Sequence, residues 1–440
     1  MAIFRYIICR KSHLWPTATP LAALLLVGAQ AADAAPVIQP PAAIPQDAPV
    51  NPADDPYLDM LLKQAVASHP SIGAARAAIR AAGADIRSAH WQAFPAFTVQ
   101  GLLLNDSTNG RQASLVVDQP IWTGGRISSS LRRARAQHRA ALAGYQQAVL
   151  DIMVGLSRSY RDYHRLNSKF AILQDSLTRH RELVATMERR LAQEISPLAD
   201  LELARSRTAQ IEQQVATTVA QRLTTLQKLR ELVGDPDVRP GPPPAGGPLE
   251  PLDLSELVMR TLDFDPGRQR LIAEAGAARA EAAGARASIF PQLSGQYSYD
   301  DAYGHRVGLV LKAQSGGGFS SFSNAAAARE RQDAAELRIS ATERDLRERT
   351  TADLADYESA RSRIASTRIA RDAADNVTAS YIRQFTSGRR TWLDVMNAVR
   401  EATTAQSEAI DAEASATEAR DRLLMRSGSW PFPADSQDTP

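Results

Sequence analysis

The stretch Leu142–Leu177, LAGYQQAVLDIMVGLSRSYRDYHRLNSKFAILQDSL, decides how the rest of the chain is read. Leu142, Tyr145, Val149, Ile152, Leu156, Tyr160, Tyr163, Leu166, Phe170, Leu173 and Leu177 make ten steps over 35 residues. That 3.5-residue period is the seam of a coiled coil. The helix carrying it is expected over 126–194 and, at ~1.5 Å per residue, would run roughly 100 Å. A compact globule of 440 residues does not accommodate that length. Two shorter helices, expected over 57–92 and 198–232, sum to nearly the same length and would stack end to end beside it.

Before the long helix come two segments of strand character, 95–106 and 111–121, so the unit reads helix, β-hairpin, long helix, turn, helix. The chain carries this unit twice. His69-Pro70 matches Asp265-Pro266 and Phe94-Pro95 matches Phe290-Pro291, both 196 residues apart. Thr123-Gly124-Gly125 pairs with Gly316-Gly317-Gly318, and Asp200-Leu201 with Asp394-Val395. In the second copy, helices are expected over 253–289, 325–385 and 391–426, around strands 291–301 and 304–313. Gly388 supplies the turn there and Ser196-Pro197 in the first copy.

Seven of the 25 prolines fall in Pro36–Pro56 and seven in Pro236–Pro251, marking two extended, semi-rigid segments. The expected organisation is therefore a leader at 1–34, a Pro-rich segment at 35–56, a first repeat at 57–233, a linker at 234–251, a second repeat at 252–427 and a tail at 428–440.

The leader is read from Arg5, Arg10 and Lys11, the apolar run Leu21–Ala29 and the small-x-small site Ala32-Asp33-Ala34, which together make a secretory signal peptide. The apolar core is far shorter than the ~20 residues of a spanning helix. Cys9, the one cysteine, would leave with the leader, which excludes a cysteine nucleophile and a Cys-zinc site in the mature chain. Lys+Arg number 51 against 49 Asp+Glu, and removing three cations and one acid with the leader leaves 48 of each. No block of like charge asks for a nucleic-acid partner.

The strand segments alternate as strands with one lipid face and one water face would. Leu115 and Val117 alternate with Ser114, Val116 and Asp118. Leu293, Gly295, Tyr297 and Tyr299 alternate with Ser294, Gln296, Ser298 and Asp300. Val307, Leu309 and Leu311 alternate with Arg306, Gly308, Val310 and Lys312. Each is about the 9–11 residues of a tilted membrane strand. Four strands cannot close a barrel, because the smallest membrane barrels need about eight and lipid tolerates no open edge. Subunits must share one. Trp91, Trp122 and Tyr303 flank the strand ends, where a membrane-interface belt and simple packing both suit aromatic residues.

These features together resemble the TolC family of outer-membrane channel proteins, over residues 57–426. The likeness is carried by Phe94-Pro95 ahead of the first strand, by Asp118-Gln119-Pro120-Ile121-Trp122-Thr123-Gly124-Gly125-Arg126 after the first hairpin, and by the second Phe290-Pro291. The resemblance implies a mainly α protein with a small membrane β portion. In a homotrimer, four strands per protomer would give a shared 12-stranded barrel, and the long helical hairpins an α-barrel. It implies an outer-membrane location with a large periplasmic part, and a passive exit duct of a tripartite export system, working in type I protein secretion or small-molecule efflux. Its partners would be a periplasmic adaptor, an inner-membrane transporter and outer-membrane lipid. The Ser-Gly-Gly-Gly-Phe-Ser-Ser corner, Ser315–Ser321, leans toward the secretion members. The alternative without a pore is a periplasmic coiled-coil scaffold or adaptor.

The same resemblance places a gate and docking surface at the tips between paired helices. Gly388-Arg389-Arg390-Thr391-Trp392-Leu393-Asp394-Val395-Met396-Asn397 is similar to the family's Gly-x-Arg-Thr-x-x-Asp-Val-x-Asp pattern. This makes Arg390 the gate arginine and Asp394 the ring aspartate, with Asp200 at the matching place in the first tip as partner for an Arg390–Asp200 latch. Asn397 stands where the family's best-known member has a second aspartate, and Phe385 where it has a hydrogen-bonding tyrosine. Pro197 and Gly388 are the tip turns; Pro120, Gly124, Gly125, Gly316 and Gly317 are the strand-to-helix corners. Lys312–Phe319 lacks the proline that usually precedes the corner glycines.

Enzymatic readings are weaker. Among His69, His90, His138, His164, His180 and His305, no two are spaced i, i+3 or i, i+4 as a helix-borne metal site requires. The glycine runs lack the Gly-Lys-Ser/Thr ending of a phosphate loop. Runs such as Glu343-Arg344-Asp345 read as a solvated helix face. No cofactor and no enzyme activity is expected.

Overall fold

The computed structural model describes residues 55–103, 111–241, 253–300, 304–313 and 317–432. The leader, almost all of the Pro-rich segment, most of the linker and the end of the tail lie outside these, as do Tyr303, Ser315 and Gly316. The elements in order are α1 (Pro56–Ser68), α2 (Pro70–Trp91), β1 (Ala96–Leu103), β2 (Arg111–Trp122), α3 (Arg126–Ala192), α4 (Leu198–Val233), α5 (Leu254–Phe264), α6 (Pro266–Ala287), β3 (Gln292–Asp300), β4 (Gly304–Lys312), α7 (Ser320–Thr386) and α8 (Trp392–Arg426).

The first helix of each repeat is broken, where the sequence reading drew it as continuous over 57–92 and 253–289. The reason is proline. Residues before proline are pushed out of the helical region, and His69 and Asp265 have ψ of 131° and 114°. Each then caps the helix that follows: His69 Nδ1 accepts from the Ser71 amide and Asp265 Oδ1 from the Arg268 amide. Pro70 and Pro266 occupy the first helical turn, where no amide donor is needed. Asp55 and Asp253 cap α1 and α5 in the same way.

Helices α3 and α7 are 67 residues each, so both run about 100 Å. α7 begins five residues ahead of the expected 325, at Ser320 behind Phe319. α2 and α4 do lie along successive parts of α3. Arg76 stands over the Tyr145 ring, whereas Arg222 stands over Phe170 and Arg205 pairs with Glu188. The joint between α1 and the end of α4 is tight: Ser68 Oγ donates to the Val233 carbonyl at 2.9 Å, beside Gly234 with φ 73°. The second repeat makes the same joint between α5 and the end of α8, where the Phe264 and Phe432 rings are 5.5 Å apart.

Both joints feed one core. It contains Leu58, Leu61, Leu62, Val149, Met153, Leu156, Tyr160, Leu229, Val233, Leu257, Leu354, Tyr357, Leu423 and Trp430. Most of the seam read from the sequence is buried here and further along α3, but Leu142 is 42% exposed. Toward the sheet α3 packs between α2 and α6, and the buried residues become alanines: Ala134, Ala136, Ala143, and Ala273, Ala275 and Ala280 opposite. A Cβ on Gly276 would stand 3.7 Å from the Ala136 Cβ. Close helices need small residues, so a seam of large ones does not extend to that end.

The four strands form one antiparallel sheet in the order β1-β2-β3-β4. β1 and β4 are its two edges.

Candidate functional site

The strand register decides which side chains share a face. Phe97 is opposite Val117, Val117 opposite Tyr297, and Tyr297 opposite Val307; Leu293 is opposite Leu311 and Gly295 opposite Leu309. One face is therefore apolar across all four strands. Phe97, Val99, Val307, Leu309 and Leu311 on it are 67–77% exposed. The other face carries Thr98, Gln100, Ser114, Asp118, Ser294, Gln296, Ser298, Asp300, Arg306 and Lys312. Such an exposed apolar band, ending in an open edge on both sides, is unsuited to water and suited to lipid once the edges are paired.

Aromatic residues mark both ends of that band. At the helix end Trp91, Phe94, Trp122, Phe290, Phe319 and Phe322 are exposed, with the Trp91 and Phe94 rings 4.9 Å apart. At the loop end the Tyr299 and His305 rings are 4.8 Å apart, and the Tyr297 hydroxyl lies 2.6 Å from His305 Nδ1. Exposed aromatics at the helix end, with the half-buried Tyr297 and Tyr299 toward the loop end, suit a membrane interface.

The sheet passes into the long helices at the glycine corners. Gly124 and Gly125 have φ of 61° and 94°, and Gly317 and Gly318 of 55° and 75°. A Cβ on Gly124 would stand 3.0 Å from the Phe290 Cβ and 3.1 Å from the Ala287 carbonyl oxygen, so the first corner is also fastened to the second repeat. Pro120 sits in β2 at a break of register before Trp122, where a missing amide donor is tolerated. Gly316 lies outside the described residues.

At the far ends of the long helices, the two tips have one backbone design. Ile195 N donates to the Arg190 carbonyl at 2.8 Å, and Arg389 N to the Gln384 carbonyl at 2.9 Å. The residue ahead of each donor is left-handed: Gly388 in the second tip and Glu194 in the first. Sequence reasoning put the first turn at Ser196-Pro197. Pro197 instead caps α4 with an extended backbone, and Glu194 makes the reversal. The alignment of Glu194 with Gly388 at an offset of 194 was the available signal.

The tips share a small core of Met187, Leu201, Ala204, Trp392 and Met396, with Leu183, Val184, Leu191 and Phe385 against it. Phe385 is thus a packing residue, and the Arg190 guanidinium lies 5.5 Å from its ring centre. Asp394 closes a capping box: its amide donates to Thr391 Oγ1, and its carboxylate accepts from the Thr391 amide. Hydrogen bonds from Thr391, with Arg390 nearby, hold its carboxyl below the usual range. Arg390 sits 4.4 Å from the Tyr381 ring centre and 3.8 Å from Asp394, and donates to Gln384 Oε1. Within one chain it forms no ion pair with Asp200, which lies in the first turn of α4. Asn397 is exposed, one turn beyond Asp394.

A polar cluster that the sequence did not reveal lies in the central core. Arg161 is buried between Asp55, at 3.0 Å, and Asp421, at 2.8 Å, and Ser157 Oγ donates to Asp421. Burial raises the Asp421 carboxyl and Arg161 opposes that. Beside it His164 packs edge-on against Tyr160, with its Nε2 buried and without a hydrogen-bond partner. Burial, with Arg161 adding to it, lowers the His164 imidazole to about 4. The cluster ties α1, α3 and α8 together at the joint.

Among the described residues no helix is long and apolar enough to cross a membrane, and no group of three or more His, Cys, Asp or Glu could hold a metal ion.

Residues 61–235 match a family model described as outer membrane efflux protein. The matched stretch overlaps residues 57–233, read from the sequence as a first repeat. Several solved structures share the fold of nearly the whole chain. The outer-membrane channel OprN has a TM-score of 0.76 at 19% identity, covering 86% of this chain and 91% of that one. The outer membrane protein VceC from Vibrio cholerae has 0.73 at 18%, covering 85% and 96%. The outer membrane channel MtrE of Neisseria gonorrhoeae, solved in its open state, has 0.70 at 17%, covering 88% and 92%. No curated protein sequence matches the chain. The TolC-family likeness and the mainly α fold read from the sequence are borne out, and the family and its structural neighbours are channel proteins of the outer membrane, not enzymes.

Proposed function

We propose that this chain is an outer-membrane channel protein of the efflux type and forms one third of a passive exit duct in a tripartite export system. The observation that carries the reading is the sheet: an apolar exposed face, a polar face and two unpaired edges. Lipid requires those edges to be closed. Three copies would place the β4 edge of each against the β1 edge of the next and give twelve strands. The polar faces would then line a water-filled bore that continues into a barrel of the long helices.

The tips are the gate. Arg390 is held on its own tip by Tyr381, Gln384 and Asp394. We assign its latch to Asp200 of the neighbouring subunit. An exposed pair contributes ~0–1 kcal/mol, so the closed state depends on three copies acting together. A periplasmic adaptor docks at the tips and an inner-membrane transporter supplies the energy. That transporter decides whether the cargo is a protein or a small molecule.

Edge closure is tested by cysteine pairing. In a Cys9→Ala background, Thr98→Cys in β1 is combined with single cysteines along β4. The reading expects covalent dimers and trimers under oxidation at one register. Their absence along the whole of β4 would overturn it.

A further inference from the structure

The polar face of the sheet carries four charges per chain among the described residues, and they stand in two oppositely paired couples. At the loop end Arg306 Nη2 lies 2.6 Å from Asp300 Oδ2. At the helix end Lys312 Nζ lies 3.0 Å from Asp118 Oδ2. All four positions have the same parity in the register, so all four project to one side. The second couple reaches across β3, from the β4 edge strand to β2. Its side chains remain 50% and 28% exposed on that side, so ions in the bore would meet them.

We propose that Lys312 and Asp118 are selectivity-determining residues of the bore, holding its helix-end mouth electrically neutral. The proposal rests on the channel reading above and deepens it. Three copies would place three cations and three anions around one level. Removing Lys312 would leave three unopposed carboxylates there, and removing Asp118 three unopposed ammonium groups. A ring of one sign in a confined aqueous bore concentrates counter-ions. The effect reaches farther at low salt, where the Debye length is about 30 Å at 0.01 M against about 3 Å at 1 M.

The test is the reversal potential of the reconstituted full-length mature channel under a KCl gradient. Lys312→Gln is expected to raise the cation-to-anion permeability ratio about threefold at low salt and little at 1 M. Asp118→Asn is expected to lower it by a similar factor. The double variant should return near the wild-type ratio, and Lys312→Arg should not depart from it. A structural role alone would disturb conductance in both single variants without moving selectivity in opposite directions. Single variants that keep the wild-type ratio, or move it the same way, would overturn this assignment and leave the channel standing. A wild-type protein that forms no pore would overturn the channel itself, and this assignment with it.

Discussion

Glu194 and Gly388 hold the same left-handed backbone at the same place in the two tips, with φ of 60° and 72°. Glycine adopts that conformation freely, whereas a side chain there costs roughly 1 kcal/mol. Gly388→Ala should therefore lower stability by about 1 kcal/mol. Glu194→Gly should raise it by less, because the added freedom of the unfolded chain offsets part of the relief. Chemical unfolding followed by helix signal measures both, and a stabilising Gly388→Ala would contradict the shared turn.

Arg390→Ala should raise the closed-state conductance of the reconstituted channel, because it removes the cation of the proposed latch while Asp394 keeps its capping box. Asp394→Ala should also raise it, with an added loss of about 1 kcal/mol from the cap. Comparing the two separates unlatching from fraying of α8. Conductance at the wild-type level in both variants would sink the latch.

Asn397 is exposed one helical turn from Asp394. Asn397→Asp would add a second carboxylate per subunit on that turn. The expected result is new block of the channel by millimolar divalent cations, read as reduced conductance. Equal sensitivity to divalents in variant and wild type would place position 397 away from the bore.

The architecture was legible because its signals are long or repeated. Ten steps of one seam, two copies of a unit and three strands of clean alternation each average over many residues. What escaped were events that depend on single residues or distant partners. Pro70 and Pro266 end helices that the periodicity alone carried through. Glu194 reverses a chain where no composition rule expects it. The Arg161 cluster joins residues 105 and more positions apart in sequence, and nothing local marks Asp55 or Asp421. At the tips, a pattern singles out Arg390 and Asp394 as gate candidates, and it does not say that Asp394 is a helix cap.

The central joint should be acid-sensitive. His164 is lowered by burial from 6.5 to about 4. The unfolded chain therefore takes up this proton first as pH falls. The contribution to stability is complete above pH 6.5 and is lost progressively toward pH 4. His164→Phe should flatten that part of the stability profile, measured as the midpoint of thermal unfolding between pH 7 and pH 4.5. An unchanged slope would mean that the imidazole is not titrating in the core.

The same joint is predicted to depend on Arg161. Arg161→Ala would leave Asp55 and Asp421 buried without their cation, at a cost of about 3–5 kcal/mol. Denaturant midpoints of the purified protein measure it, and a loss below 1 kcal/mol would mean that the carboxylates are not held as the structure places them.

The most direct test of the channel is to purify the mature protein from membranes, determine its mass in detergent and record single channels in a planar bilayer. The account predicts extraction only with detergent, a mass of three chains and a pore that is closed most of the time. A protein that leaves the membrane fraction in buffer, runs as a single chain and forms no pore would contradict it, and would favour a periplasmic scaffold.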